Sequence, residues 1–246
     1  QIAFSRQYAS GLRFTASYWY SKSLDYISTL NVAGSAPTLV AGENDLAQNP
    51  FNLAAEHGPS LFDATHRFVF SGTYALPLWS HAPRAAAVLV NGWQLNTIAS
   101  LSTGSPFTVY DSANVALQGS APEISGFYSS RPDLVSDPNK GQPHTANQWV
   151  TRAPFLQLNP ATQAGQFGNE GRNVVRGPGI ENVDLSLAKY FNIGESARVQ
   201  FRAECFNLLN HANFGLPEND LQSPAFGQIL QANPPRLLQL AIKLLF

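Results

Sequence analysis

An all-β fold of antiparallel, membrane-crossing strands is what this 246-residue sequence predicts, and three observations lead there. The final run, Arg236 to Phe246, alternates strictly: Leu238, Leu240, Ile242, Leu244 and Phe246 fall on one face, and Leu237, Gln239, Ala241, Lys243 and Leu245 on the other. Successive strand side chains point to opposite sides, so one face is wholly apolar while the other carries an amide and an ammonium. A length of about 9–11 residues is what a tilted strand needs to cross a bilayer. Secondly, charged residues are 13% of the chain, against roughly 25% in soluble domains, while hydrophobic residues stand at an ordinary 44%. Thirdly, the connections between strand-like stretches run short, long, medium, very long, short and long. Membrane barrels show this alternation, with short periplasmic turns and long extracellular loops. A soluble β-sandwich with polar loops would have nearly the same composition, so that alternative stays open.

Taken in order, Gln1 to Gln7 and Leu12 to Ser23 flank a short turn, Tyr8-Ala-Ser-Gly11. In the second stretch Leu12, Phe14, Ala16, Tyr18 and Tyr20 alternate with Arg13, Thr15, Ser17, Trp19 and Ser21. A segment rich in Asn, Ala, Gly and Pro follows, from about 24 to 64. Thr65 to Leu76 places Phe68, Phe70, Gly72, Tyr74 and Leu76 on one face. A connection holding Pro77, Pro83 and a small apolar run leads to Gly92–Thr103, and the longest loop runs from about 104 to 180. Asn182–Phe191 and Arg198–Leu208 form a tight hairpin around Ile193-Gly-Glu195, and a loop from 210 to 235 precedes the last strand. The sum is about seven strands in antiparallel up-and-down order.

The hairpin fixes a parity. Val183, Leu185 and Leu187 share one face of its first strand, and Val199, Phe201, Ala203 and Cys205 one face of its second. For these faces to coincide, odd positions must pair with odd, through a turn such as a three-residue one with Gly194 at positive φ. Asp184, Ser186, Arg202 and Glu204 then share the polar face. Arg198, Gln200 and Lys243 join them as expected lumen-facing groups.

Composition excludes several classes. Net charge is −1 with no basic stripe, against nucleic acid as a main partner. Cys205 is the single cysteine, so an intrachain disulfide and a cysteine-rich zinc site are excluded, and it reads as an apolar filler on a strand. Histidines 57, 66, 81, 144 and 211 lack close metal-ligand spacing; His66 and His211, at strand–loop junctions, suit an interfacial or hydrogen-bonding role. No run of about 20 apolar residues makes a transmembrane helix. The chain has no methionine and starts at Gln1 inside a strand-like stretch, which predicts a piece of a longer protein lacking its N-terminal portion.

The segment Gly165-Gln-Phe-Gly-Asn-Glu-Gly-Arg-Asn-Val-Val-Arg-Gly-Pro-Gly-Ile-Glu-Asn-Val-Asp-Leu-Ser-Leu-Ala-Lys189 resembles the C-terminal barrel region of TonB-dependent outer-membrane receptors. The nearest type carries a carboxypeptidase-regulatory-like N-terminal domain, as in acidobacteria. Val199-Gln-Phe-Arg-Ala-Glu-Cys-Phe-Asn-Leu-Leu-Asn-His-Ala-Asn-Phe-Gly215 is similar to that family's penultimate strand and following loop. Ala16-Ser-Tyr-Trp-Tyr-Ser-Lys-Ser-Leu-Asp25, His66-Arg-Phe-Val-Phe70, Gly92-Trp-Gln-Leu95, Ser105-Pro-Phe-Thr108 and Arg131-Pro-Asp-Leu134 carry the same likeness. The resemblance implies an outer-membrane barrel of about 22 strands with an internal plug. Residues 1–246 would be its C-terminal part, with the plug, the TonB-contacting segment and about two-thirds of the barrel absent. Phe246 would belong to the signal read by the barrel-assembly machinery.

For chemistry, the sequence offers little. Gly168, Gly171, Gly177 and Gly179 resemble a phosphate cradle only weakly, since no helix-forming run follows, and turn geometry explains them better. Asp184 with Glu204 reads as part of a charge ladder with Arg198 and Arg202 rather than as an acid–base pair. Ser60 and Ser105 lack a Gly-x-Ser-x-Gly setting. No catalytic, cofactor or metal residue is expected. In the longest loop Trp149, Arg152, Phe155, Phe127 and Tyr128 are candidate ligand contacts, against the alternative that they pack the loop on itself. Trp19, Tyr20, Tyr74, Trp93 and Tyr190, at strand ends, are expected in interfacial girdles.

The expected function is the barrel segment of a TonB-dependent transporter in the outer membrane. Its partners would be lipid, TonB through the absent N-terminal part, the assembly machinery and an unidentified extracellular ligand such as a bulky nutrient. The alternative is a structural or adhesive surface protein whose loops bind partners without transport.

Overall fold

A computed structural model describes residues 1–8, 11–28, 47–79, 81, 83–113, 115–117, 130–193 and 197–246. Seven strands form one sheet: β1 (Ile2–Gln7), β2 (Leu12–Tyr20), β3 (His66–Ala75), β4 (Trp93–Ser102), β5 (Ile180–Ile193), β6 (Ala197–Phe206) and β7 (Leu237–Leu245). Their order in the sheet is their order in the chain, and every pairing is antiparallel. The expected strands are all present, with ends shifted by at most three residues. The chain turns from β1 into β2 at Gly11, whose φ of +85° suits glycine.

The register carries one apolar face across the whole sheet. Phe4 lies opposite Ala16, Ala16 opposite Phe70, and Phe70 opposite Ala99. The row Val183–Ala99, Leu185–Thr97, Leu187–Leu95 continues it onto β5. Leu185 then pairs with Cys205 and Cys205 with Leu238, so odd positions do pair with odd in the hairpin. Ile193 pairs with Ala197; Gly194 lies outside the described residues. Among the described residues nothing packs on the β7 part of this face: Leu238 is 72%, Leu240 72% and Ile242 76% exposed. A sandwich would bury these side chains against a second sheet. They face outward, as a lipid-contacting wall requires.

One connection differs from expectation. Between β3 and β4 the apolar run forms a short helix, α1 (Arg84–Val90), preceded by Pro83. Pro83 lies just before the helix, where its missing N–H leaves no intrahelical hydrogen bond unmade.

Among the described residues, the buried hydrophobic cluster lies outside the sheet. Phe107, Val109, Val150, Phe155, Val175, Leu221 and Phe226 form it, and all of them belong to the long connections after β4 and β6. Two two-residue strand pairs brace the connection after β4, Pro106–Phe107 with Val175–Arg176 and Asp133–Leu134 with Phe155–Leu156, and a third, Leu24–Asp25 with Gly58–Pro59, braces the connection between β2 and β3. The long loops thus fold into a cap at one end of the sheet.

Candidate functional site

The cap and the polar sheet face hold the chain's interacting groups. Among the described residues, six of the cap's charged side chains are buried: Glu56, Asp63, Asp111, Arg131, Glu170 and Arg172. Arg131 and Glu56 form an ion pair at 2.5 Å, with side chains only 1% and 2% exposed. Gln48 ties this pair to the rest: its backbone N–H donates to Glu56 Oε1 at 2.9 Å, and its Nε2 donates to the Gly168 carbonyl at 2.8 Å. Arg172 donates through Nε to the Glu56 carbonyl at 2.9 Å and pairs with Asp25. Arg176 pairs with Asp63 at 2.5 Å, and Asp63 Oδ1 accepts from the Ser23 backbone N–H at 2.7 Å. Charges buried this deeply persist only when paired and hydrogen-bonded. Segments far apart in sequence are thereby clamped together.

Glu170 sits beside this network. Its Oε1 accepts from the Val109 N–H at 3.1 Å, while Oε2 and Arg131 Nε, both buried, have no hydrogen-bond partner among the described residues. Burial pushes the Glu170 carboxyl well above the usual carboxylate range; the Val109 N–H and the Arg131 charge oppose that push. For Asp25, desolvation works upward, but hydrogen bonds from Arg172, Ser60 and Ser28 leave the carboxyl below its ordinary value.

The glycines have a packing role. A Cβ at Gly168 would stand 2.1 Å from the Arg131 carbonyl oxygen, and one at Gly104 would stand 1.8 Å from that of Gly177. Backbone meets backbone there, which only glycine allows. None of these positions opens a helix.

The candidate ligand contacts divide. Phe155 is in the cap core, edge-on to Phe226 at 5.9 Å. Trp149 Nε1 donates to the Arg176 carbonyl at 2.8 Å, and its ring lies 4.7 Å from that of His144. Arg152 donates to the Ser223 carbonyl at 2.6 Å, its guanidinium 5.2 Å from the Phe226 ring centre. These three stitch the cap to itself. Phe127 and Tyr128 lie outside the described residues.

On the sheet, Asp184, Ser186, Arg198, Gln200, Arg202, Glu204 and Lys243 share the polar face: Ser186 is opposite Glu204 and Gln200 opposite Lys243. Arg202 and Glu204 approach to 3.2 Å. Asp184 Oδ1 accepts from the Asn207 N–H and from Asn182 Nδ2, both at 2.9 Å. Asp184 and Glu204 are thus engaged separately, as in a ladder. His66 Nδ1 and the Tyr18 hydroxyl are hydrogen-bonded at 2.7 Å, at the junction where a polar role is expected.

The girdle assignment needs correction at two positions. Tyr20, Tyr74 and Trp93 lie on the apolar face, but register puts Trp19 opposite Arg67 and Tyr190 opposite Gln200, on the polar face. Gln200 Nε2 donates to the Tyr190 hydroxyl at 2.9 Å, so that ring anchors the polar network.

Sequence reading did not single out Glu56, Asp63, Glu170, Arg172 or Arg176. The last three stand in the glycine-rich segment that carries the family likeness, which is the one signal pointing to them.

Comparison with curated protein sequences gives no match. A family model described as an outer membrane beta barrel domain matches residues 1–239. With that match over nearly the whole chain, and an antiparallel sheet whose apolar face is bare, the chain belongs to the outer-membrane β-barrel domain family and resides in the outer membrane.

Proposed function

We propose that this chain is the C-terminal wall segment of a TonB-dependent outer-membrane transporter, whose complete form takes up a bulky nutrient. The observation that carries the reading is the open sheet. Among the described residues β1 pairs only with β2 and β7 only with β6, so the wall needs further strands before it can enclose a lumen. A wall of more than seven strands is compatible with the plugged transporter class. The segment supplies apolar wall for lipid, a charged inner face, an extracellular cap, and Phe246 as the end presented to the assembly machinery. This reading gives it no catalytic group, cofactor or metal. The ordered cap supports ligand recognition, because a packed scaffold holds its outer surface in one shape.

The test uses the full-length protein purified in detergent and the periplasmic domain of TonB. Co-purification of the two, abolished by deleting the N-terminal part, is the expected result. A full-length protein that never retains TonB, yet whose cells lose surface attachment when residues 131–176 are deleted, would overturn transport in favour of adhesion.

A further inference from the structure

The short-turn end carries an apolar surface that the sheet does not account for. Leu78 (73% exposed), Trp79 (68%), Val88 (58%) and Leu89 (67%) cluster on α1 and the segment leading to it. Two side chains fix where this element sits. Trp93 and Lys189 are cross-strand partners on the apolar, outward face. Trp93 Nε1 donates to the Leu89 carbonyl at 2.8 Å, and Lys189 Nζ donates to the Asn91 carbonyl. Both therefore grip the C-terminal end of α1 from the lipid side of the wall. The Lys189 ammonium also lies 5.4 Å from the Trp93 ring centre and 5.0 Å from that of Phe191, so it is held within the wall's lower margin. Trp79 is held in turn, its backbone N–H donating to Asn91 Oδ1 at 2.7 Å.

In outer-membrane barrels the short-turn end is periplasmic. We propose that α1 with Leu78 and Trp79 is an interfacial foot, lying in the headgroup region of the phospholipid leaflet on that side. The occupant is lipid rather than protein because the foot adjoins the apolar face of the wall: Trp93 belongs to that face and holds the foot to it. A short helix with bare apolar side chains, beside Trp at the level where strands end, matches how peripheral helices seat in an interface. The inference needs only outer-membrane residence and is independent of TonB.

Spin labels on the full-length protein test it, reconstituted in vesicles of phosphatidylethanolamine and phosphatidylglycerol. Val88→Cys, Leu89→Cys and Trp79→Cys are made in a Cys205→Ala background, with Leu240→Cys as the lipid reference and Lys140→Cys as the water reference. Heat-modifiable gel mobility shows which variants have folded; the three positions report one surface, so loss of a single variant leaves the test intact. The expected oxygen-to-nickel-chelate collision ratio at the foot is at least about fivefold above that at Lys140, approaching that at Leu240. A ratio equal to that at Lys140 would place the foot in water. Exclusion of both reagents would place it under protein, a plug or another chain. Either result overturns the proposal.

Discussion

Glu170 shows how one side chain can set the cap's response to pH. Its carboxyl is buried, accepts one backbone N–H, and is pushed upward by desolvation. A raised value means the folded cap keeps a proton that the opened cap has already released. Stability then falls as pH rises from the ordinary carboxylate range toward the raised value, with a slope approaching about 1.4 kcal/mol per pH unit. Asp25 has the opposite sign, since its value is lowered, and its contribution is lost only as pH falls below the ordinary range. The two windows do not coincide. Hydrogen exchange at residues 105–111 and 168–176 should therefore show less protection at pH 8 than at pH 5 in the native protein. Glu170→Gln should remove that slope, and an unchanged slope in the variant would refute the assignment. None of this was legible in the sequence. Arg131 and Glu56 stand 75 positions apart, and although Arg131 opens the Arg-Pro-Asp-Leu motif, nothing local points to Glu56 as its partner. Their pairing comes from tertiary docking of loops, which periodicity does not encode.

At the scale of elements, the sequence was legible wherever a period of two decided the matter. The β5–β6 hairpin is the clearest case: its apolar rows could coincide only with odd–odd pairing, and Leu185 does face Cys205. Helix α1 escaped because its seven residues make about two turns, too few to separate a helical stripe from a plain apolar run. The cap's two-residue strands escaped for another reason, since they exist only where distant loops meet. Trp19 and Tyr190 were misassigned by proximity to strand ends alone; their parity already placed them on the polar face. The same parity yields a contrast between neighbours. Leu185→Lys puts an ammonium on the lipid face and should cost about 2–4 kcal/mol if it sits near the bilayer midplane. Ser186→Lys, one position along, faces Glu204 and should cost much less. Urea unfolding of the full-length protein from lipid vesicles measures both. Equal losses for the two variants would mean that the faces have been assigned the wrong way round.

Among the described residues the sheet is a wall with two free edges, β1 and β7. In an up-and-down sheet of seven strands the first and last run in the same direction, so β1 and β7 could close on each other only as a parallel pair. Seven strands would also enclose less space than the smallest eight-stranded barrels, whose interiors side chains already fill. The polar face argues against such a collapse, because Arg198, Gln200, Arg202, Glu204 and Lys243 would be forced together in a lumen too narrow to hydrate them. The edges must instead be met by other strands. Residues 1–246 produced alone and refolded in detergent should consequently form mixed oligomers through β1 and β7. Light scattering behind size-exclusion chromatography would read masses well above the 26.7 kDa of one chain. The full-length protein under the same conditions should give one protein mass and a heat-modifiable band. A sharp 26.7 kDa species with heat-modifiable mobility from the isolated segment would show that it closes by itself, and the large-barrel reading would fall.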